Sequence, residues 1–200
     1  MNIICSDVEG VWIPEVWVNV ALKTGIEELR LTTRDISDYD VLMRGRLEIL
    51  KKHNLKISDI QQVIATLEPL PSALEALEKI RNATQIVMVS DTFTEFAKPL
   101  MKSLGWPVLF CNYLEIDSQG YVVNYHLRQP DQKRQVARAL KGLHYNVTAL
   151  GDSYNDIPML QEADRGILFH PPAKVREEYP GFEIAENHEE LLSALGGIIG

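Results

Sequence analysis

Residues 3–10 read IICSDVEG, a short apolar run that ends in an acidic turn, and residues 147–152, VTALGD, repeat that arrangement. Short apolar runs bounded by turn residues are typical of strands buried in a parallel sheet. In open α/β sheets, ligands bind beyond the carboxyl ends of the strands. We therefore expect Asp7 and Asp152 to face one crevice.

The rest of the chain alternates apolar runs with helical patterns. We predict central strands at residues 3–5, 85–89, 108–110, 147–150 and 166–169, a hairpin at 114–125, and later helices at 132–143, 173–179 and 189–195. This alternation predicts the α/β class, with a Rossmann-like, mostly parallel sheet flanked by helices on both faces.

Residues 14–70 interrupt the alternation with helical patterns at 15–24, 39–53 and 58–67. In the middle helix, Leu42, Arg46, Ile49 and Leu50 share one face, and Ser37-Asp38 supplies an N-cap. We predict an α/β core at 1–13 plus 71–200, with 14–70 forming a small inserted helical cap domain.

Composition and charge limit the classes of partner. The chain has 200 residues, with 20 Lys+Arg against 28 Asp+Glu, and its net charge of −8 argues against binding to nucleic acid or to an anionic membrane. No apolar run approaches the roughly 18 residues that a membrane span needs, and the N-terminus does not read as a signal peptide. Cys5 and Cys111 are predicted to be buried free thiols. We predict a cytoplasmic protein with small-molecule partners, in which Trp12, Trp17 and Trp106 serve packing.

Four short motifs lie where strands end or helices begin. They are Asp7-Val8-Glu9-Gly10, Ser90-Asp91-Thr92, Lys133 and the segment from Gly151 to Asp156. Each alone is explained by a helix cap or a turn. Their shared position beside strand ends favours an active site.

This set resembles the haloacid dehalogenase superfamily of phosphotransferases. An aspartate with an acid two residues later (Asp7, Glu9), then Ser90, then Lys133, then Gly-Asp-x-x-x-Asp at 151–156 match its four motifs in order. The helical insert resembles the cap of the phosphoserine phosphatase branch. Motifs such as Asp-x-Glu-Gly-Val and Gly-Asp-Ser-Tyr-Asn-Asp are similar to the bacterial phosphoserine:homoserine phosphotransferases of the ThrH type.

The resemblance implies a phosphoryl transfer. A carboxylate such as Asp7 can attack phosphorus and form an acyl-phosphate. The approach of two anions calls for Mg²⁺, which would be bound by Asp7, Asp152 and the backbone carbonyl of Glu9. Ser90 and Lys133 would hold the phosphoryl oxygens.

The remaining roles follow the same resemblance. Glu9 is the expected general acid and base. Much of the superfamily has Asp at that position, so its extra methylene bears on whether water or an alcohol is the acceptor. Asp156 is expected to orient Lys133 or a metal-bound water, although a first-turn helix acid explains it equally. Asp91 and Asn155 are expected to bind substrate, although Asn155 could also simply close the turn.

Substrate choice is expected to lie in the cap. Glu15 can pair with the ammonium of phosphoserine and Arg46 with its carboxylate, in bidentate geometry. Solvated helix arginines are common, so a surface role for Arg46 stays open. Arg128 and Arg134 are predicted to be surface residues.

Several functions remain open on the sequence. The first is an Mg²⁺-dependent enzyme that transfers phosphate from O-phospho-L-serine to water or to L-homoserine. A phosphatase for another small phosphate ester is the alternative. A non-catalytic binding module is disfavoured because all the motif residues are present, and a receiver-like phosphoacceptor is disfavoured by the helical insert. A homodimer is allowed.

Overall fold

The computed structural model describes residues 1–33, 35–36 and 38–199 and contains a seven-stranded sheet in the order β4-β3-β2-β1-β5-β6-β7. β3 and β4 pair antiparallel, and the other neighbours pair parallel. The predicted α/β class with a mostly parallel sheet is confirmed. The strands are β1 (Asn2–Ser6), β2 (Gln85–Phe93), β3 (Val108–Ile116), β4 (Val122–His126), β5 (Asn146–Gly151), β6 (Arg165–Phe169) and β7 (Glu183–Ala185).

Ten helices connect and cover these strands in the described part of the chain. They are α1 (Val16–Thr24), α2 (Tyr39–Lys52), α3 (Ile57–Ile64), α4 (Ala73–Ala83), α5 (Thr94–Ser103), α6 (Gln132–Gly142), α7 (Ile157–Glu162), α8 (Ala173–Glu178), α9 (His188–Ala194) and α10 (Gly196–Ile199).

The register of the central strands positions the acidic turns. Ser6 of β1 lies opposite Met88 of β2 and Leu150 of β5, and the Asp7 amide donates a 2.9 Å hydrogen bond to the Leu150 carbonyl. β1 and β5 therefore end together, beside the point where β2 continues toward its irregular end at Phe93. As a result, the turns that follow β1 and β5 meet the end of β2 at one edge of the sheet.

The segment between β1 and β2 is helical, as predicted. Asp38 caps α2, because its side chain accepts hydrogen bonds from the amides of Asp40 and Val41, whereas Ser37 lies outside the described residues. α1, α2 and α3 pack into the hydrophobic cluster on one face of the sheet, through residues such as Val20, Met43 and Ile60. The division into a core and a separate cap domain stays a prediction.

Two hydrophobic clusters cover the two faces of the sheet. Ile4 of β1 belongs to the cluster shared with α1–α5, whereas Ile3 and Cys5 belong to the cluster shared with α6 and α7. Successive residues of a strand point to opposite faces, so an uninterrupted apolar strand supplies both cores.

Some sequence predictions need correction. β2 continues to Phe93, beyond the predicted end at residue 89, because Phe93 pairs with Asn112 after an irregularity in register. β7 was not predicted, since three residues are too short for a periodic pattern. Trp106 does not pack in the core, since it is 62% exposed, and the free thiol of Cys111 is only half-buried.

No described helix is long and apolar enough to cross a membrane. Cytoplasmic localisation stays a prediction.

Candidate active site

Lys133 is the buried cation at the centre of the site. Its Nζ lies 2.7 Å from Asp156 Oδ1, 3.1 Å from Asp7 Oδ1 and 3.5 Å from Asp91 Oδ2. Burial by itself would lower the pKa of Lys133, but these three carboxylates outweigh it and raise the pKa well above its ordinary value. The side chain is therefore a fixed ammonium that joins motifs far apart in the chain.

Asp156 uses both carboxylate oxygens within the protein. Oδ1 accepts from Lys133, and Oδ2 accepts from the amides of Asp152 and Ser153 at 3.0 and 3.1 Å. A Cβ added at Gly151 would come within 2.3 Å of the Asp156 side chain, so only glycine allows this approach. The geometry suits the positioning role expected for Asp156.

Asp7, Asp152 and Asp156 offer carboxylate oxygens within 4.8 Å of one another. Asp7 and Asp152 lie on the cleft wall, whereas Asp156 lies behind Lys133, so the first two are the better placed to take a cation from solution. The main chain also comes close here, because a Cβ at Gly10 would lie 2.6 Å from Asp152 Oδ2. Clustered carboxylates and a nearby main chain form the oxygen donor set that a hard divalent ion prefers.

Asp7 is buried at the end of β1, with only 4% of its surface exposed. Burial, together with the negative charge of Asp156, raises its pKa well above the usual range, and Lys133 opposes this shift. A cation beside Asp7 would favour the carboxylate form that acts as a nucleophile.

Glu9 follows two residues later, and its Oε2 accepts a 2.8 Å hydrogen bond from the Val16 amide at the start of α1. Burial of the carboxyl group and the nearby charge of Glu15 raise the pKa of Glu9 to about 7, against the lowering effect of the Val16 amide. A carboxyl group with that pKa can give and take a proton near neutral pH.

Asp91 organises the second motif. Its Oδ2 accepts a 2.8 Å hydrogen bond from Asn155 Nδ2, and its Oδ1 accepts one of 3.1 Å from Gln132 Nε2. Burial raises the pKa of Asp91, but Lys133 and these hydrogen bonds outweigh it and hold the pKa below its usual value. Asp91 and Asn155 thus bind each other as well as lining the site.

Gln132 was missed by the sequence analysis. Besides contacting Asp91, its amide donates a 2.8 Å hydrogen bond to the Ser90 carbonyl. It is buried, with 4% exposed, at the start of α6. The one feature of the sequence that could have identified Gln132 as a site residue was its position directly before Lys133.

Arg46 points inward from α2 and is therefore not the solvated surface arginine that the sequence left possible. It is 7% exposed, its guanidinium lies 4.6 Å from the centre of the Trp17 ring, and it donates a 2.8 Å hydrogen bond to the Leu31 carbonyl. Trp17 therefore contributes to the site as well as to the core. Arg128 and Arg134 are exposed, as predicted.

These side chains line one cleft of about 640 Å³, counted with its open mouth, between the sheet edge and α2. Every predicted site residue except Asp156 lies on its wall, and Asp156 lies behind Lys133. The lining residues are Asp7, Glu9, Glu15, Trp17, Thr32, Thr33, Tyr39, Leu42, Arg46, Ser90, Asp91, Thr92, Lys133, Asp152, Ser153 and Asn155.

Comparison with known proteins gives consistent results. A family model described as haloacid dehalogenase-like hydrolase matches residues 4–164. Phosphoserine phosphatase ThrH of Pseudomonas aeruginosa is 55% identical over 191 residues, which cover 96% of this chain and 93% of that protein. A phosphoserine phosphatase of Pseudomonas syringae pv. tomato is 54% identical over 191 residues, which cover 96% of this chain and 81% of that protein.

Solved structures share the fold at low sequence identity. A phosphoserine phosphatase in apo form has a TM-score of 0.79 at 22% identity and covers 98% of both chains. A phospho-aspartyl intermediate analogue of phosphoserine phosphatase has a TM-score of 0.78 at 20% identity, covering 96% of this chain and 98% of that one. At such identity the likeness shows the fold alone.

Proposed function

We propose that this chain, which belongs to the haloacid dehalogenase-like hydrolase family, is a phosphatase for O-phospho-L-serine. The reaction would proceed through an aspartyl-phosphate on Asp7. The relatives at 55% and 54% identity are named phosphoserine phosphatases, which supports this substrate. The observation that carries the proposal is one cleft that joins Asp7, Ser90 and Lys133 on one wall to Glu15 and Arg46 on the other.

The wall at the sheet edge suits the phosphoryl group. The Lys133 ammonium, whose pKa is raised by the neighbouring carboxylates, lies 3.1 Å from Asp7 Oδ1, so an anionic phosphoryl group would be drawn toward the nucleophile. The Ser90 hydroxyl lies on the same wall and can donate to a second phosphoryl oxygen.

Chemistry then proceeds in two displacements. An Asp7 oxygen attacks phosphorus while the bond from phosphorus to the serine oxygen breaks, and Glu9 gives its proton to the leaving oxygen. In the second step Glu9 takes a proton from water as the water oxygen attacks the aspartyl-phosphate. Phosphate leaves and Asp7 returns to its carboxylate form.

We propose Mg²⁺ as the cofactor, held by Asp7, Asp152 and the backbone carbonyl of Glu9. The carboxylate cluster and the close approach of Gly10 to Asp152 support this assignment. When bound, the ion would offset the negative charges of the phosphoryl group and of Asp7.

The wall formed by α1 and α2 suits the amino-acid part of the substrate. Stacking on Trp17 holds the Arg46 guanidinium, a planar donor that matches a carboxylate. Glu15, directly before α1, supplies a negative charge for an ammonium group. This pairing favours phosphoserine over the alternative of another small phosphate ester.

Transfer of the phosphoryl group to L-homoserine is part of the proposal and rests on likeness to the ThrH-type proteins. A homodimer stays a prediction.

The test is product analysis with O-phospho-L-serine and Mg²⁺, with and without L-homoserine. We expect free phosphate in the first case, and phosphohomoserine with less free phosphate in the second. Asp7→Asn should lose both products, and Glu78→Gln, at an exposed position of α4, should keep both. If free phosphate were the only product with L-homoserine present, the transfer reaction would be excluded. Activity retained in Asp7→Asn would overturn the mechanism.

A further inference from the structure

Among the described residues, the buried side-chain nitrogen and oxygen atoms without a hydrogen-bond partner all belong to residues of the cleft. They are Asp7 Oδ1, Arg46 Nε and Thr92 Oγ1, and all three residues line it. Asp7 Oδ1 keeps its ion contact with Lys133, and both Asp7 and Arg46 already have roles in the proposed function. Thr92 has none.

An unpartnered hydroxyl in the protein interior is unfavourable. Thr92 is 4% exposed, so its hydroxyl has little access to bulk water. Buried side-chain hydroxyls almost always find a partner, because losing water without a replacement costs free energy. Because Thr92 lines the cleft and its hydroxyl has no protein partner, a bound ligand is the remaining source of an acceptor for it.

The neighbouring contacts place Thr92 beside the expected phosphoryl position. Its amide donates a 3.2 Å hydrogen bond to Ser90 Oγ, so the Thr92 backbone directly adjoins the hydroxyl assigned to the phosphoryl group. Both residues belong to the irregular end of β2, next to β1 and Asp7.

The described wall of the cleft is rich in hydrogen-bond acceptors and has few charged donors, and the Thr92 hydroxyl is one of the groups that can donate to a ligand oxygen. Among the described residues, five carboxylates line the cleft but only two cations do. The carboxylates are Asp7, Glu9, Glu15, Asp91 and Asp152, and the cations are Arg46 and Lys133. Acceptors are thus abundant on the protein side. A phosphate monoester brings several more acceptor oxygens, and each needs a donor.

We propose that Thr92 is a further substrate-binding residue, whose hydroxyl donates a hydrogen bond to a phosphoryl oxygen of the phosphate monoester. The inference rests on the proposed function for the chemistry of the substrate, and it adds a contact from a motif residue to which the sequence analysis assigned no role.

The experiment compares Thr92→Val, which keeps the shape and removes the hydroxyl, with Thr92→Ser, which keeps the hydroxyl. Binding of inorganic phosphate in the presence of Mg²⁺ is measured by calorimetry, and KM for phosphoserine by phosphate release. We expect Thr92→Val to weaken phosphate binding about 10-fold and to raise KM by a similar factor, with Thr92→Ser within about threefold of wild type.

Stability separates a ligand-binding hydroxyl from a structural one. Thr84→Val is the matched control, because Thr84 Oγ1 donates a 3.0 Å hydrogen bond to the Asn2 carbonyl, away from the cleft. Thr84→Val should lower the unfolding temperature and leave phosphate binding unchanged. Thr92→Val should leave the unfolding temperature of the ligand-free protein unchanged or raised, since no protein partner is lost.

The inference is overturned if Thr92→Val binds inorganic phosphate within twofold of wild type, or if weaker binding comes with a lowered unfolding temperature. A higher KM for phosphoserine with unchanged phosphate binding also overturns it, because Thr92 would then contact the amino-acid part. If wild type fails to hydrolyse phosphoserine, the proposed function fails, and the phosphate measurement still decides the role of Thr92.

Discussion

Lys133 Nζ donates a 2.7 Å hydrogen bond to Asp156 Oδ1, and Asp156 Oδ2 accepts from the amides that follow β5. The ammonium and the turn that carries Asp152 are therefore positioned by one buried carboxylate. Because Lys133 also lies 3.1 Å from Asp7, the pair connects Asp7 to the turn that carries Asp152. Disturbing this pair should affect both stability and catalysis.

Asp156→Asn should lower the free energy of unfolding by about 3 kcal/mol, the usual effect of removing one partner of a buried ion pair. It should also reduce kcat for phosphoserine, since Lys133 loses its shortest contact. Chemical denaturation and steady-state rates measure the two effects. Glu75→Gln breaks an exposed pair with Lys79 and should change stability by less than about 1 kcal/mol. Equal effects of the two substitutions would contradict the prediction.

Gly10→Ala should weaken Mg²⁺ activation, because the added Cβ would lie 2.6 Å from Asp152 Oδ2. Gly25→Ala is the matched control: Gly25 has a similar positive φ of 72°, against 77° at Gly10, but no atom lies within 4 Å of its added Cβ. Both substitutions should destabilise by about 1–2 kcal/mol through the left-handed backbone. The measurement is the Mg²⁺ concentration for half-maximal phosphate release. An equal shift in both variants would show that backbone strain, rather than the contact with Asp152, is responsible.

Arg46→Lys should raise KM for phosphoserine at least about 10-fold, because an ammonium neither stacks on Trp17 as a plane nor binds a carboxylate through two donors. Inhibition by inorganic phosphate should not change, since phosphate lacks the amino-acid part. Arg44→Lys, two residues away on the exposed face of α2, should leave both constants as in wild type. If Arg46→Lys also lost inhibition by inorganic phosphate, Arg46 would instead be a residue that binds the phosphoryl group.

Glu9 should make the metal-free protein less stable as pH rises from about 4.5 to about 7. Its folded-state pKa is about 7, against an ordinary value of 4.5, so the native state holds the proton more tightly than the unfolded chain. The stability associated with this proton is fully present below pH 4.5 and lost as pH rises through 7. Glu9→Gln removes this titration.

Chemical denaturation in EDTA at pH 5 and pH 8 checks the prediction. The stability of Glu9→Gln relative to wild type should increase from the lower to the higher pH. A difference that is the same at both values would show that Glu9 titrates normally.

Much of the fold was predictable, because strands and helices are encoded by local periodicity. β1, β5 and β6 were predicted within a few residues and α2 within one residue, whereas β2 and β3 extend to Phe93 and Ile116, beyond their predicted ends at residues 89 and 110. β7 was not predicted from the sequence, because its three residues pair with β6 through main-chain groups and their side chains show no distinct hydrophobic pattern. The extension of β2 to Phe93 depends on pairing with β3, and local sequence does not encode that.

The order of the motifs predicted, from the sequence alone, the edge of the sheet at which the candidate site lies and many of the residues that line it, but not the parts played by Trp17, Thr92 and Gln132. Tertiary structure alone decided which of those residues touch. The pairing of Lys133 with Asp156, the contact of Gln132 with Asp91 and the stacking of Arg46 on Trp17 join separate elements. Likewise, only packing shows that the Thr92 hydroxyl lacks a protein partner. Periodicity reports which face of an element is buried, whereas contacts between side chains depend on how the elements pack together.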